Sequence, residues 1–220
     1  MVRAFADTAR AVAEEVLDGV GSRLWLLPVS ARTPARADAR EFALSGLDTP
    51  QIKGKVAVDI ASACRKFLLR LDSLRDRNVS GVATEVSQIL QRPGDEVARA
   101  TDLWGVLEVV SEMASRPNGA DTAAIRVVVL SDLLECMRGD GRRCFERQPP
   151  SSRAEAERWG REVTAKVTRL YRIAPNVVRR LDISLVSAAL ANRPQNRYVP
   201  YYWRALLEGL GVPPERVHIQ

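Results

Sequence analysis

The chain has 220 residues, enough to build one sizeable hydrophobic core, and a single domain over 1–220 is expected. Hydrophobic residues make up 46% of it and charged residues 27%, a balance that excludes a wholly disordered protein. No window approaches the roughly 18 apolar residues that cross a bilayer, so no membrane association is expected. The N-terminal residues carry acids where a signal peptide is apolar. These features favour a soluble, cytoplasmic protein.

The net charge of +6 raises the question of a nucleic-acid partner. A protein that follows a phosphate backbone usually concentrates its basic residues on one helix or loop. Here the arginines are interleaved with acids, and the densest groups, Arg142-Arg143 and Arg179-Arg180, are only pairs. That pattern is typical of solvated helix faces. A protein partner is therefore favoured over nucleic acid, whose binding would weaken steeply with salt.

The cysteines limit the metal and redox chemistry that is open to the chain. Cys64, Cys136 and Cys144 are an odd set without C-x-x-C spacing, and there is a single histidine. A single histidine excludes a histidine-rich transition-metal site. Free thiols are expected for all three cysteines, and a bridge between Cys136 and Cys144 remains the alternative in an oxidising compartment.

Hydrophobic periodicity predicts helices and strands that alternate along the chain. Helices are expected at about 3–18, 55–74, 81–90, 101–113, 152–171 and 200–210. Strands are expected at 23–30, 41–47, 125–130 and 181–186, with 217–219 as a short edge strand. The run at 125–130, IRVVVL, is unbroken and β-branched, which is typical of a strand buried on both faces of a parallel sheet.

This alternation predicts an α/β fold, a Rossmann-like three-layer sandwich with a mostly parallel central sheet and helices on both faces. Ligands of such sheets bind beyond the carboxyl ends of the strands, where the strand order reverses. The loop that follows Leu130 and the helix start near Thr101 are therefore the candidate binding positions.

Oxygen-bearing side chains occupy both of these positions. Ser131 and Asp132 directly follow the strand at 125–130, and Thr101 and Asp102 open an earlier helix. A hard divalent cation such as Mg²⁺ takes oxygen ligands of this kind. Each residue also has a simpler structural role open to it, Thr101 as a helix cap and Asp132 as a turn residue.

Taken together, these features resemble a von Willebrand factor A domain over nearly the whole chain. The matching segments are TDL at 101–103, VVVLSD at 127–132, VPYYWRALL at 199–207, and the helix and strand within 6–30. The resemblance implies a protein-binding adaptor module with a metal-ion-dependent adhesion site that holds Mg²⁺. Carried over, the metal ligands are Thr101 and Asp132, with Ser131 and Asp102 as weaker candidates.

The sequence departs from the family at the front of that metal site. The family's Asp-x-Ser-x-Ser motif, and the first, central strand that carries it, have no counterpart here. The resemblance expects that strand between 24–29 and 125–130. Family members often have a Met directly after the motif, so we hypothesise that Met1 is this residue and that the missing strand is encoded upstream. An upstream reading frame without Asp-x-Ser-x-Ser contradicts the hypothesis, and Mg²⁺ binding is conditional on that strand.

Two other functions remain open at this point. A structural scaffold that is independent of metal needs none of these ligands. Cys136 and Arg142 have the Cys-x₅-Arg spacing of a phosphatase loop, in which a thiolate attacks phosphorus and the arginine holds the oxygens. That chemistry needs the cysteine immediately after a buried strand, whereas this strand is predicted to end earlier. We therefore expect a protein that is not an enzyme.

Overall fold

The structure is a computed structural model that describes residues 2–29, 39–50, 56–91, 102–114, 125–136, 143–187 and 196–219. Its elements in chain order are α1 (Val2–Val16), β1 (Arg23–Leu26), β2 (Arg40–Ala43), α2 (Ala57–Gln91), α3 (Leu103–Ala114), β3 (Ile125–Leu130), α4 (Arg153–Leu170), α5 (Pro175–Val178), β4 (Leu181–Val186), α6 (Val199–Leu210), a 3₁₀ turn (Pro214–Arg216) and β5 (Val217–Ile219). Helices combined with a parallel three-stranded sheet confirm the α/β class. None of the described helices is both long enough and apolar enough to span a bilayer.

The chain divides into two compact units, each with its own sheet. The first unit comprises Met1–Pro28 and Asp38–Pro93, and the second comprises Val29–Ala37 and Gly94–Gln220. β1 and β2 pair antiparallel in the first unit, and β3, β4 and β5 pair parallel in that order in the second. The single domain over 1–220 and the helix-covered three-layer sandwich remain predictions.

In the first unit, α2 packs against α1 and the two-stranded sheet. It is one helix of 35 residues, so the prediction of two helices at 55–74 and 81–90 was wrong. The error arose at Gly81, which was taken as a helix start. In the structure Gly81 lies against Phe42 of β2, whose Cε1 would be 3.0 Å from a Cβ added to the glycine. The Asn78 amide also donates to the Ala43 carbonyl at 2.9 Å, so this part of α2 is held against β2.

β4 is the central strand of the second unit. Its register with β3 runs from Ile125 opposite Leu181 to Leu130 opposite Val186, and β5 pairs along its other edge. Alternate residues of β4 enter a core shared with α3, α4, α5 and α6, namely Leu181, Ile183 and Leu185. Because side chains alternate along a strand, this core lies on one face of the sheet.

β3 differs from the strand that its sequence predicts. The composition of IRVVVL predicts burial on both faces, yet every residue of β3 is half-buried or exposed. Within the described residues β3 pairs with β4 alone, so its second edge has no neighbouring strand. The prediction of a fully buried strand at 125–130 was therefore wrong. Ile125, Val127 and Val129, on one face of β3, pack against the core as partly buried residues, and Arg126 on the other face is exposed.

α4 and α6 pack closely because a glycine lies at their contact. A Cβ on Gly160 of α4 would lie 2.4 Å from the Tyr202 carbonyl oxygen and 2.9 Å from the Leu206 nitrogen of α6. α4 begins at a cap in which Ser152 Oγ accepts a hydrogen bond from the Glu155 amide at 3.2 Å. Hydrogen bonds from Ser151 to the Glu155 carboxylate hold the pKa of that carboxyl below its usual value.

Gly160→Ala is expected to destabilise the protein by roughly 1–3 kcal/mol, because the added methyl overpacks the α4–α6 contact. The sign of the change in the free energy of unfolding is diagnostic, since Gly→Ala inside an exposed helix stabilises a protein by up to about 1 kcal/mol. Urea unfolding followed by tryptophan fluorescence measures the difference. Arg161→Ala, an exposed neighbour on α4, is the control and should change stability by less than about 0.5 kcal/mol. A Gly160→Ala protein as stable as wild type contradicts this account of the contact.

Candidate functional site

The segment that follows β3 is a tightly hydrogen-bonded turn, which we call the strand-end loop (residues 131–136). The Ser131 amide still donates to Val186 at 3.2 Å, as if the sheet continued. Ser131 Oγ then accepts from the Leu133 amide, and Asp132 Oδ1 accepts from the Leu134 amide, both at 3.1 Å. Such bonds from short polar side chains to the backbone two residues on stabilise turns. The structure thus brings Ser131 and Asp132 together at the carboxyl end of β3, both half-buried.

Leu133, at the centre of this loop, is held in a conformation that leucine rarely adopts. Its φ is +59°, in the left-handed region, which costs a residue with a Cβ roughly 1–2 kcal/mol. The side chain is only 1% exposed, and the Trp203 indole donates a hydrogen bond to the Leu133 carbonyl at 3.0 Å. Burial and this hydrogen bond therefore hold the loop in a single conformation.

An aromatic cluster, formed by Trp104, Phe145, Tyr202 and Trp203, lies beneath the loop. The ring centroids of Phe145 and Tyr202 are 4.7 Å apart, and those of Tyr202 and Trp203 are 5.3 Å apart, both edge to face. The Trp104 indole donates to the Tyr202 hydroxyl at 3.2 Å. Edge-to-face pairs add about 0.5–1.5 kcal/mol each beyond their buried area. The cluster gives the strand-end loop a rigid base.

Thr101 and Asp102 are the two metal ligands predicted at the start of α3. Thr101 lies outside the described residues. Asp102 is 5% exposed, and its Oδ1 accepts from the Gly105 amide at 3.0 Å and from the Tyr171 hydroxyl at 2.8 Å. The bond from the Gly105 amide is that of a helix cap, and the Tyr171 hydroxyl is an additional donor. Asp102 is therefore placed as the cap of α3, and its Oδ1 accepts two hydrogen bonds in that role.

By themselves, the described residues do not fit a Mg²⁺ site. Mg²⁺ requires near-octahedral oxygen coordination, and of the four predicted ligands the structure places only Ser131 and Asp132 together at this edge. Within the described ranges, a single group of three acidic, cysteine or histidine side chains has converging ligand atoms, and it consists of Cys136, Cys144 and Glu146. The Mg²⁺ role of Asp132 thus remains a prediction that depends on ligands from elsewhere.

Cys136 and Cys144 form a disulfide bond, so the expectation of free thiols was wrong for this pair. Cys64 is a free cysteine, as expected. The two bonded residues face each other across an isolated antiparallel bridge, with Cα atoms 3.9 Å apart. The alternative that the sequence left open, a disulfide between Cys136 and Cys144, is therefore the one the structure contains, whereas the antiparallel bridge that brings the two residues together was not predicted.

The disulfide also bears on the phosphatase alternative. A phosphatase loop needs a thiolate on Cys136, and in this form the Cys136 sulfur is bonded to Cys144. β3 ends at Leu130, well before the cysteine. Arg142, the other residue of the Cys-x₅-Arg spacing, lies outside the described residues. The geometry of the described part does not favour this chemistry.

Tyr171→Phe is expected to destabilise the protein by roughly 1.5–3 kcal/mol, the usual contribution of a hydrogen bond to a charged group. The substitution removes the hydroxyl that donates to the buried Asp102 carboxylate and preserves the ring. Urea unfolding measures the change. The matched control is Tyr201→Phe on α6, whose half-buried ring lies beside Arg153, and it should cost less than about 0.5 kcal/mol. Equal stability of the two variants would contradict a stabilising role for the hydrogen bond between Tyr171 and Asp102.

Comparison of the chain with protein-family models, with curated proteins and with solved structures finds no match. Similarity to a known protein therefore supplies neither a fold family nor a function.

Proposed function

We propose that this chain is a protein-recognition module of the von Willebrand factor A type. It binds a protein partner at the carboxyl edge of the β3–β4–β5 sheet, through the strand-end loop. Asp132 supplies the charge and Ser131 the hydroxyl of that surface. Mg²⁺ assists the binding when a further strand with Asp-x-Ser-x-Ser completes the ligand set.

The edge of β3 that pairs with no strand of the described residues is the observation that carries this proposal. Edge strands are normally short, charged or interrupted by proline, whereas β3 has six residues, no proline and a single charge at Arg126. Its composition is that of a strand covered on both faces within a parallel sheet. In the described part of the chain β1 pairs with β2 alone and β3 with β4 alone. The resemblance expects a further strand beside β3.

The rigidity of the strand-end loop supports recognition as its role. Ordering a loop on binding costs free energy, so a preorganised loop binds more tightly. Here the Leu133 carbonyl is held by Trp203, and the end of the loop is tied to Cys144 by the disulfide. Function is frequently carried by loops that a rigid scaffold positions. Asp132 is half-buried within this loop, so a cationic or hydrogen-bonding group of a partner can reach its carboxylate.

A metal-independent scaffold is the second candidate, and one observation favours it. Ser131 Oγ and Asp132 Oδ1 each accept a backbone hydrogen bond within their own loop. Asp102 likewise caps its own helix. Local structure alone could therefore account for these residue types, and a binding measurement distinguishes the two functions.

An N-terminal extension tests the metal part of the proposal. The extension joins a β-branched strand of about six residues and Asp-Gly-Ser-Gly-Ser to the chain ahead of Met1. Mg²⁺ at ten times its Kd should stabilise this protein by about 1.4 kcal/mol, which raises Tm by roughly 3–6 °C. The chain without the extension should show no Mg²⁺-dependent rise in Tm.

Two controls make that result specific. An extension with Ala-Gly-Ala-Gly-Ala keeps the strand and removes the new oxygen ligands, and Asp132→Asn in the full extension removes the carboxylate. Neither protein should respond to Mg²⁺. A rise in Tm that persists in Asp132→Asn, or no rise in the complete extension, contradicts the proposed metal site.

Partner binding is tested by Asp132→Asn in the chain as it stands. Asparagine retains an acceptor for the Leu134 amide and loses the charge, so the fold should be preserved. Cross-linked partners are captured with the wild-type, Asp132→Asn and Glu215→Ala proteins and quantified by mass spectrometry. Glu215 is an exposed acid just before β5, at the opposite edge of the same parallel sheet.

A protein bound at the strand-end loop should be retained by Glu215→Ala and bound about tenfold or more weakly by Asp132→Asn, a loss of roughly 1.4 kcal/mol. Equal retention by all three proteins would place the binding surface elsewhere. Recovery of no specific partner by the wild type would favour the scaffold.

A further inference from the structure

Cys136, Cys144 and Glu146 form a second group of functional side chains, which we call the thiol–carboxylate cluster. The two sulfur atoms and a Glu146 carboxylate oxygen all lie within 4.8 Å of one another. The cysteines are half-buried, and Glu146 is exposed. Tetrahedral ligands at about 2.0–2.3 Å from a Zn²⁺ ion lie roughly 3.5 Å apart. To enclose an ion, the two sulfur atoms would have to move apart from their bonded distance after reduction, and the exposed glutamate would have to move towards them.

The backbone holds this cluster together independently of the S–S bond. The Phe145 amide donates to the Glu135 carbonyl at 3.0 Å, so the Cys144 segment is paired with the strand-end loop. The Phe145 side chain is 1% exposed and packs on Tyr202. Breaking the S–S bond leaves both contacts in place. The two thiols of the reduced protein consequently remain neighbours.

A turn directs the third ligand to the same place. The Arg147 and Gln148 amides donate to the Cys144 carbonyl at 3.0 and 2.9 Å, which forms a tight turn across Glu146. The Arg143 guanidinium, on the other side of Cys144, stacks on the Trp159 ring at 3.8 Å from its centroid. Residues on both sides of Cys144 are thus fixed by contacts that do not involve its sulfur.

We propose that, in the dithiol form, Cys136, Cys144 and Glu146 bind a divalent metal ion of the Zn²⁺ class. Thiolates select soft or borderline ions such as Zn²⁺ over Mg²⁺. Three protein ligands leave the fourth tetrahedral position to water, as in exchangeable or catalytic zinc sites. This site is independent of the oxygen ligands at Asp132.

The disulfide and the metal site exclude each other, because a sulfur bonded to sulfur is not a thiolate ligand. A dithiol reductant supplies two electrons and two protons, breaks the Cys136–Cys144 bond and is itself oxidised to a disulfide. Metal binding then displaces the two thiol protons into solvent, and the ion joins both sulfurs and the carboxylate. Each state cross-links the last residue of the strand-end loop to the segment anchored by Phe145.

Cobalt titration of the full chain tests the proposal. Cys64→Ser serves as the background, so that only the cluster cysteines are free after reduction with a phosphine under anaerobic conditions. Co²⁺ should give a thiolate-to-metal charge-transfer band that saturates at one ion per chain, and Zn²⁺ should bleach it. Zn²⁺ should also protect two thiols from a thiol-specific reagent. The oxidised protein should show neither effect.

Variants establish which ligands hold the ion. Cys144→Ser should abolish the charge-transfer band. Glu146→Gln should keep the fold and weaken Zn²⁺ binding about tenfold or more, whereas Glu215→Gln, at an exposed acid away from the cluster, should leave it unchanged. Near-ultraviolet circular dichroism of the aromatic cluster verifies that each variant is folded. No band in the reduced Cys64→Ser protein, a band that survives the further change Cys144→Ser, or unchanged affinity in Glu146→Gln each overturns the proposal.

Discussion

The strand-end loop depends on how closely α6 can approach the rest of the second unit. Gly160 allows α6 to lie against α4 at a distance that any side chain would prevent. In that position α6 presents Tyr202 to Phe145 and directs the Trp203 indole to the Leu133 carbonyl. The left-handed conformation of Leu133 is tolerated because these contacts offset its cost. Gly160 of α4 therefore influences the shape of the strand-end loop indirectly, through the position of α6.

The elements that sequence alone predicted well are those specified by local pattern. The strands 125–130, 181–186 and 217–219 match β3, β4 and β5, because short runs of β-branched and apolar residues bounded by polar ones have few other solutions. α2 was misjudged at Gly81, where a glycine that reads as a helix boundary in fact makes room for Phe42. Periodicity reports which residues are apolar, and it does not report which neighbour requires a glycine.

The residues of the candidate site likewise differ in whether a local sequence pattern could reveal them. Ser131 and Asp132 could be found because they follow a strand directly, and position after a strand is visible in sequence. Asp102 caps α3 through the Gly105 amide three residues on, but its second donor, Tyr171, lies 69 residues away, and no local pattern reveals such a contact. The thiol–carboxylate cluster was missed for a related reason. Its cysteines are eight residues apart and meet through an isolated bridge, without the short spacing that marks a zinc motif.

If the proposed strand pairs with the edge of β3 that is unpaired within the described residues, strand pairing and Mg²⁺ binding are coupled through free energy. A strand added along it would bury valines that are now half-buried, for a gain of about 1 kcal/mol each, and would form hydrogen bonds of about 0.5–1.5 kcal/mol each. Ordering each residue of that strand costs about 1–2 kcal/mol. Because these terms nearly cancel, an added strand is marginal unless something else favours it. A divalent ion that joins ligands on the strand to Asp132 is such a contribution, since a ligand stabilises whichever state binds it. Strand and metal would then bind cooperatively, and the chain without that strand would have little affinity for Mg²⁺.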